Sequence, residues 1–310
     1  MNEQPVVDFL GIGAQRAGTT WIHSCLRHHP ELWLPNAKEI HYFDRLVRHG
    51  WGEPPTGPPL PNVAEVCLST GLDAPNRWKL LASCLRGLAT GAPLGRKASL
   101  RALSKGISLC AHGEKNDAWY RSRFRRGNGL VKGEITPAYA ILDQPRVRHV
   151  TSLFPSVKVF FILRDPVART ISHIRLNHDL GLVKTPFADL IQSPEFRLRN
   201  DYLRTINIWS AHLPPSNFFV GWYDDLEADP VGFLGKLFAF LGVDVSHTPL
   251  IVPAVGAITT ARNCRPSVDI PSEVISCIAR DTRPMIAALA DRYAGHPARW
   301  LERCDRILAG

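Results

Sequence analysis

Residues 9–22 read FLGIGAQRAGTTWI. An apolar run of the kind that fills a buried strand breaks into a glycine-containing loop, and the loop runs into a helical pattern that Pro30 stops. Strand, glycine loop and helix in that order make an anion cradle. Glycine lets backbone N–H groups turn toward a charge, and the helix adds the positive end of its dipole. The loop GAQRAGTT, Gly13 to Thr20, departs from the nucleoside-triphosphate pattern G-x-x-x-x-G-K-[ST] at one place. Where Lys would follow the second glycine the chain has Thr19, and the nearby cation is Arg16, inside the loop. The Lys of that pattern reaches the β- and γ-phosphates, and the Ser or Thr after it holds magnesium; a ligand that needs neither explains the change.

Outward from the loop, the chain alternates strand and helix patterns. Runs at Val6–Gly13, Leu130–Ile135 and Val157–Leu163, with a shorter one at Phe218–Trp222, are rich in β-branched and aromatic residues and predict buried strands. Helical patterns fall at Gly18–His29, Pro166–Leu180 and Asp229–Leu241; the last two start on Asp-Pro, a cap followed by a proline at the first helical position. The expected fold is α/β, a central, mostly parallel sheet flanked by helices. One domain over residues 1–310 is expected. A mostly helical insertion at about 50–115 opens on the loop WGEPPTGPPLP and carries the basic stretch GRKASLRALSKG. It reads equally as a lid, an acceptor-binding element or a surface elaboration. The tail at about 272–308 reads as helical, with its last segment beginning near Pro297.

Composition narrows the function classes. A formal net charge of +9 favours anionic ligands, acidic polymers or membrane surfaces without choosing among them. The start MNEQPVVDFL lacks a secretory signal pattern, and no apolar run approaches the ~20 residues of a membrane span. The cysteines, Cys25, Cys67, Cys84, Cys110, Cys264, Cys277 and Cys304, form no CxxC pair, so neither a disulfide framework nor a zinc site is expected; reduced thiols and a cytoplasmic location are. The basic residues are dispersed and no nucleic-acid reading motif is present, which argues against a nucleic-acid partner.

Three further segments carry chemistry. In ILRDPVARTISHIR, Ile162 to Arg175, Arg164 sits at the end of a buried strand, where open α/β sheets bind ligands, and Ser172 follows two helical turns on. Arginine offers a planar fork suited to phosphate oxygens and serine a neutral donor, while Asp165 is a helix cap. In KEIHYFD, Lys38 to Asp44, an extended chain puts Lys38, Ile40 and Tyr42 on one face and Glu39, His41 and Phe43 on the other. Glu39 or His41 can then take a proton from a hydroxyl, and Lys38 can stabilise charge on transferred oxygens. In GEITPAY, Gly133 to Tyr139, Thr136-Pro137 ends a strand, and Glu134 inside an apolar run requires a partner, expected to be an Arg or Lys near the phosphate site.

Together and in order, GAQRAGTTW, KEIHYFD, WYRSRF…GEITPAY, FFILRDPVARTISHI and VGWYDDLEADPVGFLGKLFAFLGV resemble the sulfotransferases that use 3′-phosphoadenosine 5′-phosphosulfate (PAPS), in the branch of the heparan sulfate enzymes and their bacterial relatives. The likeness runs from about Val6 to Val243 and leaves the insertion unmatched. It implies a P-loop-like three-layer fold, PAPS as donor, 3′-phosphoadenosine 5′-phosphate (PAP) as product, and no required metal. By position it implies that Gln15, Arg16, Ala17, Gly18, Thr19 and Thr20, with Trp21 following, hold the 5′-phosphosulfate. It implies that Arg164 and Ser172 grip the 3′-phosphate, with Arg262 and Arg265 as further candidates, and that Glu39 is the base, with His41 its rival and Arg16 and Lys38 charge stabilisers. Two departures stand out: Arg16 replaces the family's usual Lys, and Ile135 stands where heparan-type members often have Lys. The acceptor implied is a hydroxyl on a carbohydrate or glycoconjugate, with a lipid or small natural product as alternative. Other classes that fit the loop less well are a magnesium-dependent nucleotide kinase or NTPase and a non-catalytic PAP- or polyanion-binding module. Oligomeric state is not legible.

Overall fold

The computed structural model describes residues 6–44, 116–127, 129–179, 187–256 and 268–310. In chain order the elements are β1 (Phe9–Gly13), α1 (Thr19–His28), β2 (Leu32–Trp33), α2 (Asp117–Ser122), β3 (Val131–Ile135), α3 (Gln144–Leu153), β4 (Lys158–Leu163), α4 (Pro166–Asp179), α5 (Phe187–Gln192), α6 (Pro194–Asn200), α7 (Tyr202–Ser210), β5 (Phe218–Trp222), α8 (Tyr223–Ala228), α9 (Pro230–Leu241), α10 (Thr248–Val255), α11 (Ser272–Arg292) and α12 (His296–Ala309). Two compact units are distinguished, residues 1–57 with 123–310, and residues 58–122. Of the second, α2 is the described element, and the insertion expected at 50–115 lies outside the described residues.

The sheet runs β2-β3-β1-β4-β5, and every pairing is parallel. β1 is central and all five of its residues are buried, as expected of a strand covered on both faces. β5, at one edge, is mostly half-buried. The four expected strands form, and a two-residue strand, β2, joins the other edge; two residues are too few to show an alternation in sequence. No described helix is long and apolar enough to cross a membrane. The tail is the expected helical region, with a break that places Pro297 in the first turn of α12.

Register matters here because it aligns the carboxyl ends of three strands. Leu10 faces Glu134 of β3 and Val159 of β4. A register shift on β1 between Gly11 and Gly13 marks a bulge where the cradle loop begins, and bulges of this kind re-aim a chain as it leaves a sheet. Ala14 N donates to Ile162 O at 2.7 Å and Thr136 N to Gly11 O at 2.9 Å, so the loops after β1, β3 and β4 emerge side by side. Helix packing on both faces comes from apolar faces such as Phe233, Leu234, Leu237 and Phe238 of α9, all buried.

Close approach of β1 and β3 depends on Gly133. A Cβ there would stand 2.4 Å from both the carbonyl oxygen and the ring of Phe9. Gly133→Ala is therefore expected to destabilise the fold by about 1–3 kcal/mol, the usual range for overpacking. Gly235→Ala in α9, where a Cβ meets nothing within 4 Å, is expected to stabilise by about 0.5–1 kcal/mol. Urea midpoints at constant m-value measure both; an unmoved Gly133→Ala midpoint contradicts the packing argument.

Candidate active site

The cradle loop has left-handed backbone at two alternate residues, Arg16 (φ 70°) and Gly18 (φ 74°). Gly18 tolerates this, but Arg16 carries a Cβ, so its conformation is an observed strain of the kind that clusters at ligand clamps. It is held in place: Arg164 Nη1 donates to Arg16 O at 2.8 Å. Left-handed residues along a short loop are how successive amides come to face one concavity. α1 then starts with neither a capping side chain nor an acidic residue in its first turn. By contrast α3, α6, α7 and α9 each have an Asp or Ser side chain on their first amides. The unsatisfied N–H groups of a bare helix start, with the dipole behind them, suit an anion.

The arginines reinforce that field. Arg16 Nε donates to Ser172 Oγ at 3.0 Å, so loop and α4 are joined by two of the residues singled out in sequence. Arg164 stacks over the Tyr223 ring, 4.5 Å from its centroid. Among the described residues neither arginine pairs with a carboxylate; the acid beside them, Asp165, instead caps α4 through Val167 N (2.9 Å) and Ala168 N (3.3 Å) and meets Arg303 at 3.3 Å. Burial lowers the pKa of Arg16, and the Arg164 charge lowers it further. Two adjacent cations without a countercharge describe a site built for an anion.

The remaining loop residues divide by exposure. Ala17 and Thr19 are buried, and Thr20 is exposed. Trp21 is anchored by its indole N–H to Gly256 O at 2.8 Å, which makes its observed role one of tying α1 to the end of α10. Gln15 keeps a buried Oε1 without a partner. Arg262 and Arg265 lie outside the described residues.

The segment 38–44 is placed by Glu134. This carboxylate is buried in β3 and accepts from Thr136 Oγ1 (2.7 Å), Ile40 N (3.1 Å) and Tyr139 OH (2.9 Å), and Tyr139 OH in turn accepts from Tyr42 N (3.1 Å). The Arg or Lys expected as its partner is not among these three donors. Two hydroxyls and a backbone amide donate to the acid, and charge-assisted hydrogen bonds of this kind help to satisfy a buried carboxylate.

Pinned at alternate amides, the segment presents Glu39 and His41 together, as its spacing predicts: His41 Nε2 lies 3.2 Å from Glu39 Oε2. The strict alternation fails on either side. Lys38 turns onto Glu39 (Nζ–Oε1 2.8 Å), and Phe43 is buried against Tyr139, because a left-handed residue at His41 (φ 54°) bends the chain. A partner that sequence reasoning passed over is Asp44, whose Oδ2 is 2.7 Å from His41 Nδ1. Its signal was its place three residues after the histidine in KEIHYFD. The result is a chain of four charges, Lys38–Glu39–His41–Asp44.

Protonation follows from those contacts. Burial works against a charged Glu39, but hydrogen bonds from His41 and Lys38, and their charges, hold its carboxyl at about 2. Burial likewise opposes a charged His41, and Asp44 and Glu39 overcome it and raise the imidazole to about 9. Near neutral pH the pair is therefore carboxylate and imidazolium. Glu39 holds the lone pair able to accept a proton, and His41 does not.

Comparison with known proteins bears on the same segments. The family model described as "Sulfotransferase family" matches residues 111–247. Heparan sulfate glucosamine 3-O-sulfotransferase 6 of Homo sapiens is 30% identical over 145 residues, covering 42% of this chain and 41% of that protein. The human 3-O-sulfotransferase 3B1 is 27% identical over 145 residues, 42% of this chain and 36% of that protein. The chain thus spans about two-fifths of the length of the curated relatives it matches. A sulfotransferase from Alicyclobacillus acidocaldarius superposes with a TM-score of 0.57 at 17% identity, covering 95% of this chain and 98% of that one, a likeness of fold.

The charge chain predicts two pH limits. His41 gains affinity for its proton on folding, so its contribution to stability is complete below its ordinary value of 6.5 and is lost as pH rises through about 9. The Glu39 contribution is present above 4.5 and is lost as pH falls from there toward about 2. Asp44→Asn removes the shorter of the two His41 contacts and is expected to move the NMR titration midpoint of His41 down toward the ordinary range. An unmoved midpoint would take Asp44 out of the chain.

Proposed function

We propose that this chain, a member of the sulfotransferase family by its residues 111–247, transfers a sulfuryl group from PAPS to a hydroxyl of a carbohydrate or related small acceptor. One observation carries the proposal. Arginines without carboxylate partners among the described residues lie at the cradle loop after β1, and an ionised Glu39 backed by His41 and Asp44 sits in a segment pinned at Ile40 to the end of the adjacent strand β3. PAPS matches such a loop better than a nucleoside triphosphate does. Its single 5′-phosphate bears the sulfuryl group, and its second anchor is a separate 3′-phosphate, so neither the missing Lys nor a bridging magnesium is required.

In this mechanism the loop residues Gln15 to Thr20 and the bare start of α1 hold the 5′-phosphosulfate, and Arg164 with Ser172 takes the 3′-phosphate. Arg16 reaches Ser172, which favours assigning its guanidinium to the 3′-phosphate end. Lys38, beside Glu39, is then the cation nearest the transferring group. The acceptor oxygen attacks sulfur in line; the new O–S bond forms as the S–O bond to the 5′-phosphate breaks, and PAP leaves with the electron pair. Such displacements are accelerated by alignment and by fixed charge rather than by covalent steps. The acceptor proton passes to Glu39. Because His41 and Lys38 keep Glu39 weakly basic, that transfer comes late, when the acceptor oxygen has become acidic through bonding to sulfur.

A carbohydrate acceptor is supported by the names of the curated relatives, and the net charge of +9 suits an acidic one. A lipid or small natural product is the second acceptor class to screen. A cytoplasmic location goes with this proposal, supported by Cys25, Cys277 and Cys304, which are not in disulfides.

Calorimetry is expected to give tight PAP binding that magnesium does not change, with ADP much weaker; magnesium-dependent ADP binding would favour a kinase or NTPase instead. With labelled PAPS and a glycan panel, Glu39→Gln should lower turnover by about 10²–10⁴-fold, the usual worth of a general base, while PAP affinity stays as in the wild type. Near-normal turnover of Glu39→Gln with intact PAP binding defeats the assignment of the base.

A further inference from the structure

Arg169, in α4, is wholly buried. Its Nε donates to Asn200 Oδ1 at 2.8 Å and its Nη2 to Thr170 Oγ1 at 2.9 Å. Its Nη1 is buried and has no partner among the described residues. Among the described residues no carboxylate pairs with this guanidinium, and the acid of the neighbouring helix, Glu195, is taken by Arg199 at 2.6 Å. An unpaired buried cation opposes folding by several kcal/mol after relaxation, so a protein that keeps one has a use for the field.

The neighbours point to that use. Ser172 lies one helical turn beyond Arg169 on the same face of α4 and receives Arg16 Nε. Arg16 O receives Arg164. Tyr202, whose hydroxyl donates to Arg164 O at 2.9 Å, lies within electrostatic reach of Arg169. Burial brings Arg169 to about 10, and the charges of Arg199, Arg164 and Arg16 contribute to that lowering. His173, one position past Ser172, is held neutral by burial and by the Arg169 charge. Three arginines, Arg16, Arg164 and Arg169, thus share one region, and the acid beside them, Asp165, is committed to capping α4 and to Arg303.

We propose that Arg169 is a positioning residue for the 3′-phosphate of the donor. It is a buried positive charge behind Arg164 and Ser172 whose countercharge is the phosphate itself, and it sets the preference for 3′-phosphorylated nucleotides over those with a 5′-phosphate alone. The inference rests on the donor proposed above. The competing assignment is a structural staple that orders Asn200 and Thr170.

Calorimetry with PAP and with 5′-AMP, beside thermal melting, separates them. In wild type PAP is expected to bind far more tightly than 5′-AMP. Arg169→Met is expected to cut that ratio about tenfold or more through the PAP term alone, since charges shielded from water interact strongly, with no loss of Tm because a buried unpaired charge is gone. Arg169→Lys should keep most of the ratio, and Asn200→Ala, which removes a hydrogen-bond partner but not the charge, should keep all of it. Arg169→Gln answers the question if the Met variant does not fold. An unchanged ratio in a folded neutral variant, an equal loss for both nucleotides, or Asn200→Ala matching Arg169→Met would each overturn the inference. A wild type that binds PAP no tighter than 5′-AMP would instead reject the donor, and this inference with it.

Discussion

The Glu134 carboxylate, sunk in β3 and accepting from two hydroxyls and a backbone amide, is the constraint on which the candidate site depends. A charge in that position must be fully hydrogen-bonded or it destabilises the fold. Here part of that requirement is met by reaching out of the sheet to Ile40 N and, through Tyr139, to Tyr42 N. Those two amides bracket His41 and follow Glu39. The energetic demand of one buried acid therefore helps to fix the path of residues 38–42, which belong to no strand or helix.

The same sheet edge brings an opposite kind of incompleteness. Arg16 and Arg164 lean on each other, through Ser172 and through the Arg16 carbonyl, rather than on acids. The bare helix start beside them adds positive potential. Acids do occur nearby, but each is committed elsewhere: Asp165 to its helix cap and Arg303, Glu134 to its hydroxyls and Ile40. The carboxylates of Glu39 and Asp44 pair with Lys38 and His41, while Arg16 and Arg164 pair with no carboxylate among the described residues.

Much of this was legible in the sequence, for identifiable reasons. The β1 and β4 runs are continuous apolar stretches because they are buried on both faces, and their signal is strong. Asp229-Pro230 is a local cap, and local hydrogen bonds leave local signatures. The Glu39/His41 pairing was readable from spacing, because two residues apart in an extended stretch share a face. For Glu134 the sequence shows only that a buried acid needs donors; that Thr136, Tyr139 and Ile40 are among them is set by the fold. Asp44 and Tyr223 were passed over because their roles arise from contacts with His41 and Arg164 that a bend and a strand crossing create.

By itself, then, the sequence determined the parallel α/β architecture, the anion loop and the set of charged residues near it. These depend on periodicity, on glycine placement and on residue chemistry, all of which are properties of short windows. Only the tertiary structure decided which charge meets which. That Arg16 turns to Ser172, that His41 is held between two carboxylates and therefore protonated, and that Arg169 is buried with no carboxylate partner among the described residues follow from register between β1, β3 and β4 and from packing of α4 against α6. Electrostatic state depends on distance and burial, and neither quantity exists until strands far apart in the chain are laid side by side.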